Sequence, residues 1–345
     1  MRFSRRFLQK IPTETLGLST TAAFLFLSVL LVSFLFGVWF VWAAKIFSEN
    51  RNSGDGISGR LYAIECLGAV LGGLLTSIFF IKYLDALQIS MLFSLIMFAF
   101  ISFSISKKYL IFFVLSVALL YMSVPIKNLS TKCQWWPFNV VESKDSPYGK
   151  VTVLKNEDGC DFYGNSNKIY STILQPKTEE IVHIPMLLAS NCKSVLLIGN
   201  SGNNVSEILK HPVEKIIYIE PDYVFFDFLY RYSDDKTKCL FRNTKVKVLL
   251  TDGRFYVKNT KEKFDCVILD VPPPVTGLAN RYFTNEFFHG VKNILSEKGV
   301  LVFSLPASEN YMSDELKLIS ASIFKTVNNV FSYCYIISAS YNYFI

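Results

Sequence analysis

The run Ser194-Val195-Leu196-Leu197-Ile198-Gly199-Asn200-Ser201-Gly202-Asn203 decides the fold. A short, continuous apolar stretch ends in a turn of small residues. About twenty residues later Tyr218-Ile219-Glu220-Pro221-Asp222 closes a second apolar stretch with a carboxylate. Small residues let a ligand approach the backbone at the turn, and an acid at the next strand tip can accept hydrogen bonds from ribose hydroxyls. The pair reads as a nucleotide site on a parallel α/β sheet.

The pattern continues downstream. Strands are predicted at Ser194–Ile198, Lys215–Ile219, Lys245–Leu250, Cys266–Leu269 and Val300–Leu305, with helical stretches near Val205–Lys210, Tyr223–Tyr232, Phe283–Leu295 and Asp314–Val327. Alternation of this kind implies right-handed crossovers and a doubly wound, Rossmann-like sheet, whose ligands bind beyond the carboxyl ends of the strands. Gly199–Asn203, Glu220, Asp252-Gly253 and Asp270 all fall at such ends, in order, on successive strands.

Upstream, residues 127–147 turn polar, and Pro137 and Pro147 break regular structure. Tyr148–Leu154, Cys160–Tyr163 and Lys168–Leu174 then read as short strands, and Thr178–Ser190 as a helix with Ile181, Ile184, Leu187 and Leu188 on one face. A small meander cannot hold itself together in water, so it is expected to pack on the α/β domain downstream. The expected division is a membrane domain over 1–126, a linker and small β region over 127–190, and the α/β domain over 191–345.

The first part of the chain is of another kind. Apolar segments at Leu16–Ala44, Leu61–Ile81, Ala86–Ser106 and Tyr109–Pro125 predict about four transmembrane helices, the last near the lower limit of length. The second carries Gly68 to Gly73, a small-residue pattern that lets helices pack closely. Trp39, Trp42, Trp135 and Trp136 suit interfacial anchoring. Arg2, Arg5, Arg6 and Lys10 before the first span, with Lys127, Lys132, Lys144 and Lys150 after the fourth, slightly outweigh the loops between. The positive-inside rule then puts both ends, and the α/β domain, in the cytoplasm.

The formal net charge of +7 is modest and much of it flanks apolar runs, which points to the lipid bilayer as partner and away from nucleic acid. The 7 cysteines are scattered without CxxC spacing, which suits a reducing compartment. The 3 histidines show no metal-ligand spacing, so no metal is expected.

These motifs, in this order, resemble the spermidine synthase (aminopropyltransferase) family, which shares the class I S-adenosylmethionine-dependent methyltransferase fold. The resemblance rests on Ser146-Pro147-Tyr148, Val195 to Gly199, Leu209-Lys210-His211-Pro212, Tyr218 to Asp222, Thr251-Asp252-Gly253-Arg254, Phe264 to Asp270 and Tyr282 to Phe288. It covers about residues 143–345. Membrane segments ahead of such a domain occur in bacterial relatives, which implies a multi-pass protein of the bacterial inner or plasma membrane. The resemblance implies S-adenosylmethionine or its decarboxylated form as cofactor and a small-molecule amine as substrate; a second copy of the chain is left open as a partner. It assigns Glu220 to the ribose hydroxyls, Asp252 with Gly253 to the adenine, and Gly199, Ser201 and Gly202 to the close approach of the ligand. Asp270 becomes the acid that helps deprotonate the attacking amine. Each acid also has a plainer reading: Glu220 as a solvated strand end, Asp252 as a turn residue, Asp270 as a cap before Pro272.

The departures from the family narrow its meaning. Where the family has Gly-Gly-Gly-Asp-Gly-Gly, residues 199–204 carry no acid, and Asp270-Val271-Pro272-Pro273-Pro274 lacks the family's second acid. The family's Tyr-Gln or Tyr-His pair aligns with Val182-His183, which loses the tyrosine and leaves His183 as the substrate-binding candidate. Polyamines are polycations drawn by several carboxylates, so adenosyl binding is better supported than polyamine chemistry. Three readings remain open: a membrane-anchored aminopropyltransferase, a non-catalytic nucleotide-binding relative, and a methyltransferase acting on another acceptor.

Overall fold

The computed structural model describes residues 17–49, 57–80, 83–104, 110–173, 176–189, 191–199, 202–307, 312–338 and 341–345. The chain divides into two compact units, Met1–Pro137 and Phe138–Ile345.

The first unit is helical. Helix α1 spans Leu18–Glu49, α2 spans Ile57–Leu75 and continues as a π turn over Thr76–Phe80, and α3 spans Ala86–Ser104. Helices α4 (Leu110–Tyr121) and α5 (Ser123–Trp135) meet at a 54° bend. By length and composition two helices can cross a membrane, Leu18–Trp42 and Gly59–Phe80, and the bent pair α4–α5 makes up to 3. At 1.5 Å per residue, the 25 residues of Leu18–Trp42 reach about 37 Å, beyond the roughly 30 Å hydrocarbon layer. The apolar part of α3, Ala86–Phe100, is shorter than a full span. Against the expectation of about four spans, length and composition among the described residues allow two, or up to 3 with the bent pair.

Two details of this unit depart from expectation. Residues 127–135, read as polar linker, continue α5, and Lys127 forms an ion pair with Asp85 at 2.6 Å in the same unit. The division therefore falls at Pro137 and not at 126. Of the tryptophans read as interfacial anchors, Trp135 is buried, whereas Trp42 and Trp136 are exposed. An added Cβ at Gly68, Gly72 or Gly73 would meet nothing within 4 Å, so the small-residue face of α2 is not used for close packing among the described residues.

The second unit opens with an antiparallel meander, β1 (Asn139–Ser146), β2 (Gly149–Lys155), β3 (Cys160–Gly164) and β4 (Asn167–Ser171). Strand β1 lies in what reads as linker. Its polar residues pair with β2 from Asn139↔Lys155 to Ser146↔Gly149, a register only the partner strand supplies. The meander packs on α8 (Tyr223–Tyr232): Val151, Val153, Phe162 and Tyr170 share a core with Val224, Phe225, Phe228 and Leu229. It packs on the α/β domain, as a small meander is expected to, and lies with the large sheet in one compact unit.

Helix α6 (Pro176–Leu188) leads into that sheet, formed by β5 (Ser194–Gly199), β6 (Lys215–Ile219), β7 (Val246–Leu249), β8 (Phe264–Asp270), β9 (Leu295–Pro306), β10 (Ile336–Ser338) and β11 (Tyr341–Phe344). Its order is β10-β11-β9-β8-β5-β6-β7. The five strands β9 to β7 are parallel, and the order reverses between β5 and β8. That is the switch point of a doubly wound sheet. The edge differs from the expected all-parallel sheet: β11 runs antiparallel to β9, and β10 to β11.

The inner strands are apolar on both faces because helices cover both. Leu196 and Ile198 pack toward α12 (Asn285–Ile294) and α13 (Asp314–Asn328), through Phe287, Phe288, Val291, Ile294 and Val327. Val195 and Leu197 pack toward α6 and α7 (Gly202–Ile208), through Ile181, Val182, Met186, Val205 and Ile208. Helix α12 begins where the Thr284 side chain accepts a hydrogen bond from Phe287 N. The short helices α9 (Asp235–Phe241), α10 (Gly253–Asn259) and α11 (Gly277–Asn280) complete the unit.

Gly199 ends β5 opposite Asp270, at φ +122°, and an added Cβ would lie 2.0 Å from the Asp270 carbonyl oxygen. Only glycine fits there. Gly199→Ala is expected to cost about 3 kcal/mol or more and to lower the Tm of the full chain sharply. Gly277→Ala, whose Cβ meets nothing within 4 Å, should leave it nearly unchanged. Equal Tm values for the two variants would contradict this packing.

Candidate active site

The switch point fixes where chemistry can occur. Asp270, Gly199, Glu220 and Asp252 stand at the carboxyl ends of β8, β5, β6 and β7, which are neighbours in that order. With strands 4.7–4.9 Å apart, the row spans roughly 15 Å. The structure thus brings together the strand-tip residues that the sequence singles out.

Each acid in the row is held differently. Asp270 is ion-paired through Oδ1 with Lys177 Nζ at 2.8 Å, and its Oδ2 accepts from Asn204 Nδ2 at 3.0 Å. Lys177 comes from the first turn of α6 and also lies over the Tyr341 ring, 5.0 Å from its centroid. Burial disfavours the Lys177 charge, but Asp270's charge and hydrogen bond outweigh it and raise the pKa.

Glu220 is fully buried. Its Oε1 accepts from the Asp222 backbone N–H at 2.8 Å and its Oε2 from the Tyr218 hydroxyl at 3.3 Å. Burial pushes its pKa up to about 8; the Asp222 charge adds to this, and the two hydrogen bonds only partly oppose it. Glu220 is thus a covered, proton-bearing acid near neutral pH and not a solvated strand end. Asp222 caps α8 by accepting from Val224 N, and Ser146 Oγ donates to its Oδ2 at 2.6 Å, tying the β1–β2 turn to the tip of β6.

Asp252 caps α10, its Oδ1 accepting from Phe255 N at 3.1 Å, and its Oδ2 is 2.7 Å from Arg281 Nη1. Arg281 in turn lies over the Tyr282 ring at 5.0 Å. Gly253 is a packing glycine: an added Cβ would come within 2.7 Å of Ile198 and 3.2 Å of Tyr282. Gly202 is likewise buried in the first turn of α7, where an added Cβ would meet Phe241 at 3.2 Å and Leu229 at 3.3 Å. These two glycines serve the approach of helices and side chains, whereas Gly199 takes the left-handed backbone at the end of β5. Ser201 lies outside the described residues.

His183 does not join the row. Six residues along α6 from Lys177, it is displaced roughly 9 Å down the helix axis. There its Nδ1 is 2.7 Å from His211 Nε2 and its Nε2 3.0 Å from the buried Glu207. His211 precedes β6, at the opposite end of the strand from Glu220. The upstream residue that does reach Asp270 is Lys177, which no local motif marks. It lies 93 residues from Asp270 in the chain.

Residues 174–343 match the family model described as Spermine/spermidine synthase domain. The polyamine aminopropyltransferase of Thermotoga maritima is 36% identical over 124 residues, 35% of this chain and 42% of that protein. That of Methanocaldococcus jannaschii is 37% identical over 126 residues, 36% of this chain and 42% of that protein. That of Buchnera aphidicola is 28% identical over 167 residues, 46% of this chain and 57% of that protein. This chain therefore spans about 42% of the length of the first two relatives and 57% of the third. Among solved structures, a spermidine synthase in complex with the transition state analogue AdoDATO superposes with a TM-score of 0.52 at 26% identity, covering 60% of this chain and 72% of that one. Spermidine synthase from Thermotoga maritima gives 0.50 at 24% identity over the same shares, a likeness of fold.

Glu220 makes stability depend on pH. Its folded value near 8 lies above the ordinary 4.5, so the stability gained from the protonated form is complete below about pH 4.5 and is lost as pH rises toward 8. In Glu220→Gln, which keeps a group able to bond Asp222 N–H and Tyr218, that decline in Tm is expected to flatten, leaving the variant more stable than the wild type near pH 8. A wild type whose Tm rises across this window, with the variant following it, would contradict a buried, protonated Glu220.

Proposed function

We propose that residues 138–345 bind an adenosyl-sulfonium cofactor, decarboxylated S-adenosylmethionine in preference to S-adenosylmethionine, and transfer its aminopropyl group to an amine. The observation that carries this reading is the row Asp270–Gly199–Glu220–Asp252 on adjacent strand tips, in a segment similar to spermidine synthases.

The residues fit such a ligand. Asn204 Oδ1, beside Asp270, and Arg281 Nε, beside Asp252, are buried polar atoms without hydrogen-bond partners, one toward each end of the row. Buried polar atoms are rarely left so, and a long polar ligand lying along the row would bring partners to both. Glu220, with two oxygens on one rigid acid, suits a vicinal diol, and it must be uncovered to reach one. Asp252 faces the adenine end, with Arg281 holding the carboxylate in place.

When bound, the sulfonium would supply an electrophilic carbon, whose bond to sulfur breaks as the amine attacks and releases methylthioadenosine; the protein's share is positioning and proton handling. An amine is a nucleophile only after losing its proton, and Asp270 is the carboxylate placed to take it. Lys177 must share or release Asp270 for that to happen. Asn204 holds the second oxygen and so fixes the plane of the carboxylate. The apolar helices of Met1–Pro137 tether this unit to a bilayer, and the distribution of Lys and Arg favours its cytoplasmic side.

Mass spectrometry of the reaction tests this. The full chain in detergent, given decarboxylated S-adenosylmethionine and a panel of amines, is expected to yield an adduct about 57 Da heavier than the acceptor, against about 14 Da for methyl transfer. Asp270→Asn should lower kcat by about 10²–10⁴-fold. Absence of adenosyl binding by calorimetry, or full turnover in Asp270→Asn, would overturn the reading.

A further inference from the structure

The charges along the strand tips cancel in pairs. Asp252 is matched by Arg281 at 2.7 Å and Asp270 by Lys177 at 2.8 Å. Asp222 is 7% exposed and spends its oxygens on two helix N–H groups and on Ser146. Glu220 is covered. The turn over residues 199–204 has no acid, and neither do residues 271–274. A polycation approaching this row meets no carboxylate, among the described residues, that still needs a cation. A site built for a triamine or tetramine requires the reverse, an excess of negative charge that draws the ligand in.

Lys177 makes the point chemically specific. Its Nζ is a primary ammonium hydrogen-bonded to the oxygen of the acid that would receive an acceptor amine. The side chain is 28% exposed, its partner carboxylate 15%, and the Tyr341 ring covers the ammonium from a third side at 5.0 Å. A tethered group of this kind competes with a free amine at an effective concentration on the order of millimolar. Its positive charge also cancels the field with which Asp270 would draw any further ammonium on the same ligand, at a degree of burial where solvent screens an unpaired carboxylate only partly.

We propose that Lys177 is the specificity-determining residue of the acceptor side. It occupies the ammonium position at Asp270 and thereby selects an acceptor of low positive charge, a monoamine or an amine balanced by its own acid group, over a polyamine. This rests on the aminopropyl-transfer reading above for its name of "acceptor", but the lock between Lys177 and Asp270 is testable without it. The charge on Lys177 matters more than its shape, so arginine preserves the lock while a neutral side chain of similar length opens it.

The test is a calorimetric titration of 1,4-diaminobutane into the full chain in detergent, for wild type, Lys177→Met, Lys177→Gln and Lys177→Arg, with unfolding curves to confirm that each is folded. The two neutral variants are expected to bind the diamine at least about tenfold more tightly than wild type, with Lys177→Arg staying at the wild-type level. Wild type binding the diamine as tightly as the neutral variants, or Lys177→Arg gaining as much as they do, would overturn the proposal. A second measurement needs no variant: in wild type, kcat/KM should be higher for an amino acid's amine than for a triamine, and the reverse order also overturns it. A parallel titration of methylthioadenosine into wild type reads the adenosyl proposal on its own. No heat there with the diamine gain intact removes the transferase and keeps the lock; adenosyl binding without the diamine gain removes the lock and keeps the transferase.

Discussion

The close approach of Gly199 to the Asp270 carbonyl is the contact on which the site depends. It exists because β5 and β8 pair in parallel at the point where strand order reverses, with Val195↔Cys266 through Gly199↔Asp270 in register. The strands are held by full burial: Val195, Leu196, Leu197, Ile198, Val267 and Ile268 are all inaccessible to solvent. At about 1.5–3 kcal/mol for each such side chain, this burial easily supports one backbone residue in a costly conformation. Once the register is fixed, Asp270 can only emerge between α6 and α7, where Lys177 and Asn204 meet it.

Three acids gathered at one edge of a sheet pose an electrostatic problem, and the chain solves it three ways. Glu220 keeps its proton, Asp252 takes Arg281 and Asp270 takes Lys177. Each solution lowers the cost of desolvating a carboxylate. Together they leave a row of strand-tip acids whose charges are balanced within the fold. On the readings proposed above, backbone and strand order carry the likeness to spermidine synthases, and a few paired side chains set the choice of acceptor.

The parts legible in the sequence were those dictated by local burial. Strands β5, β6 and β8 sit between two layers of helix, so their residues form unbroken apolar runs, and the acids stand at their ends. Strand β1 was not legible, because Asn139–Ser146 is polar and takes its form from pairing with β2. Strands β10 and β11 are 3 and 4 residues long and give no periodic signal. His183 stood beside the right motif but on the wrong turn of α6, and sequence alone does not say which turn faces the strand tips. Lys177 reaches Asp270 only through the tertiary fold. Gly202 is expected to admit the ligand and Gly253 to sit at the adenine, but the neighbours an added Cβ would meet there are Leu229 and Phe241 at the first and Ile198 and Tyr282 at the second.

Hydrogen–deuterium exchange of the full chain, with and without methylthioadenosine, tests the central claim most directly, since it maps where an adenosyl group touches the backbone. Slowed exchange is expected together in peptides covering 199–204, 220–222, 252–254 and 270–274, four segments far apart in sequence and adjacent only at the strand tips. Protection confined to any other surface, such as the apolar groove lined by Leu295, Val327, Phe331 and Tyr335, would contradict it.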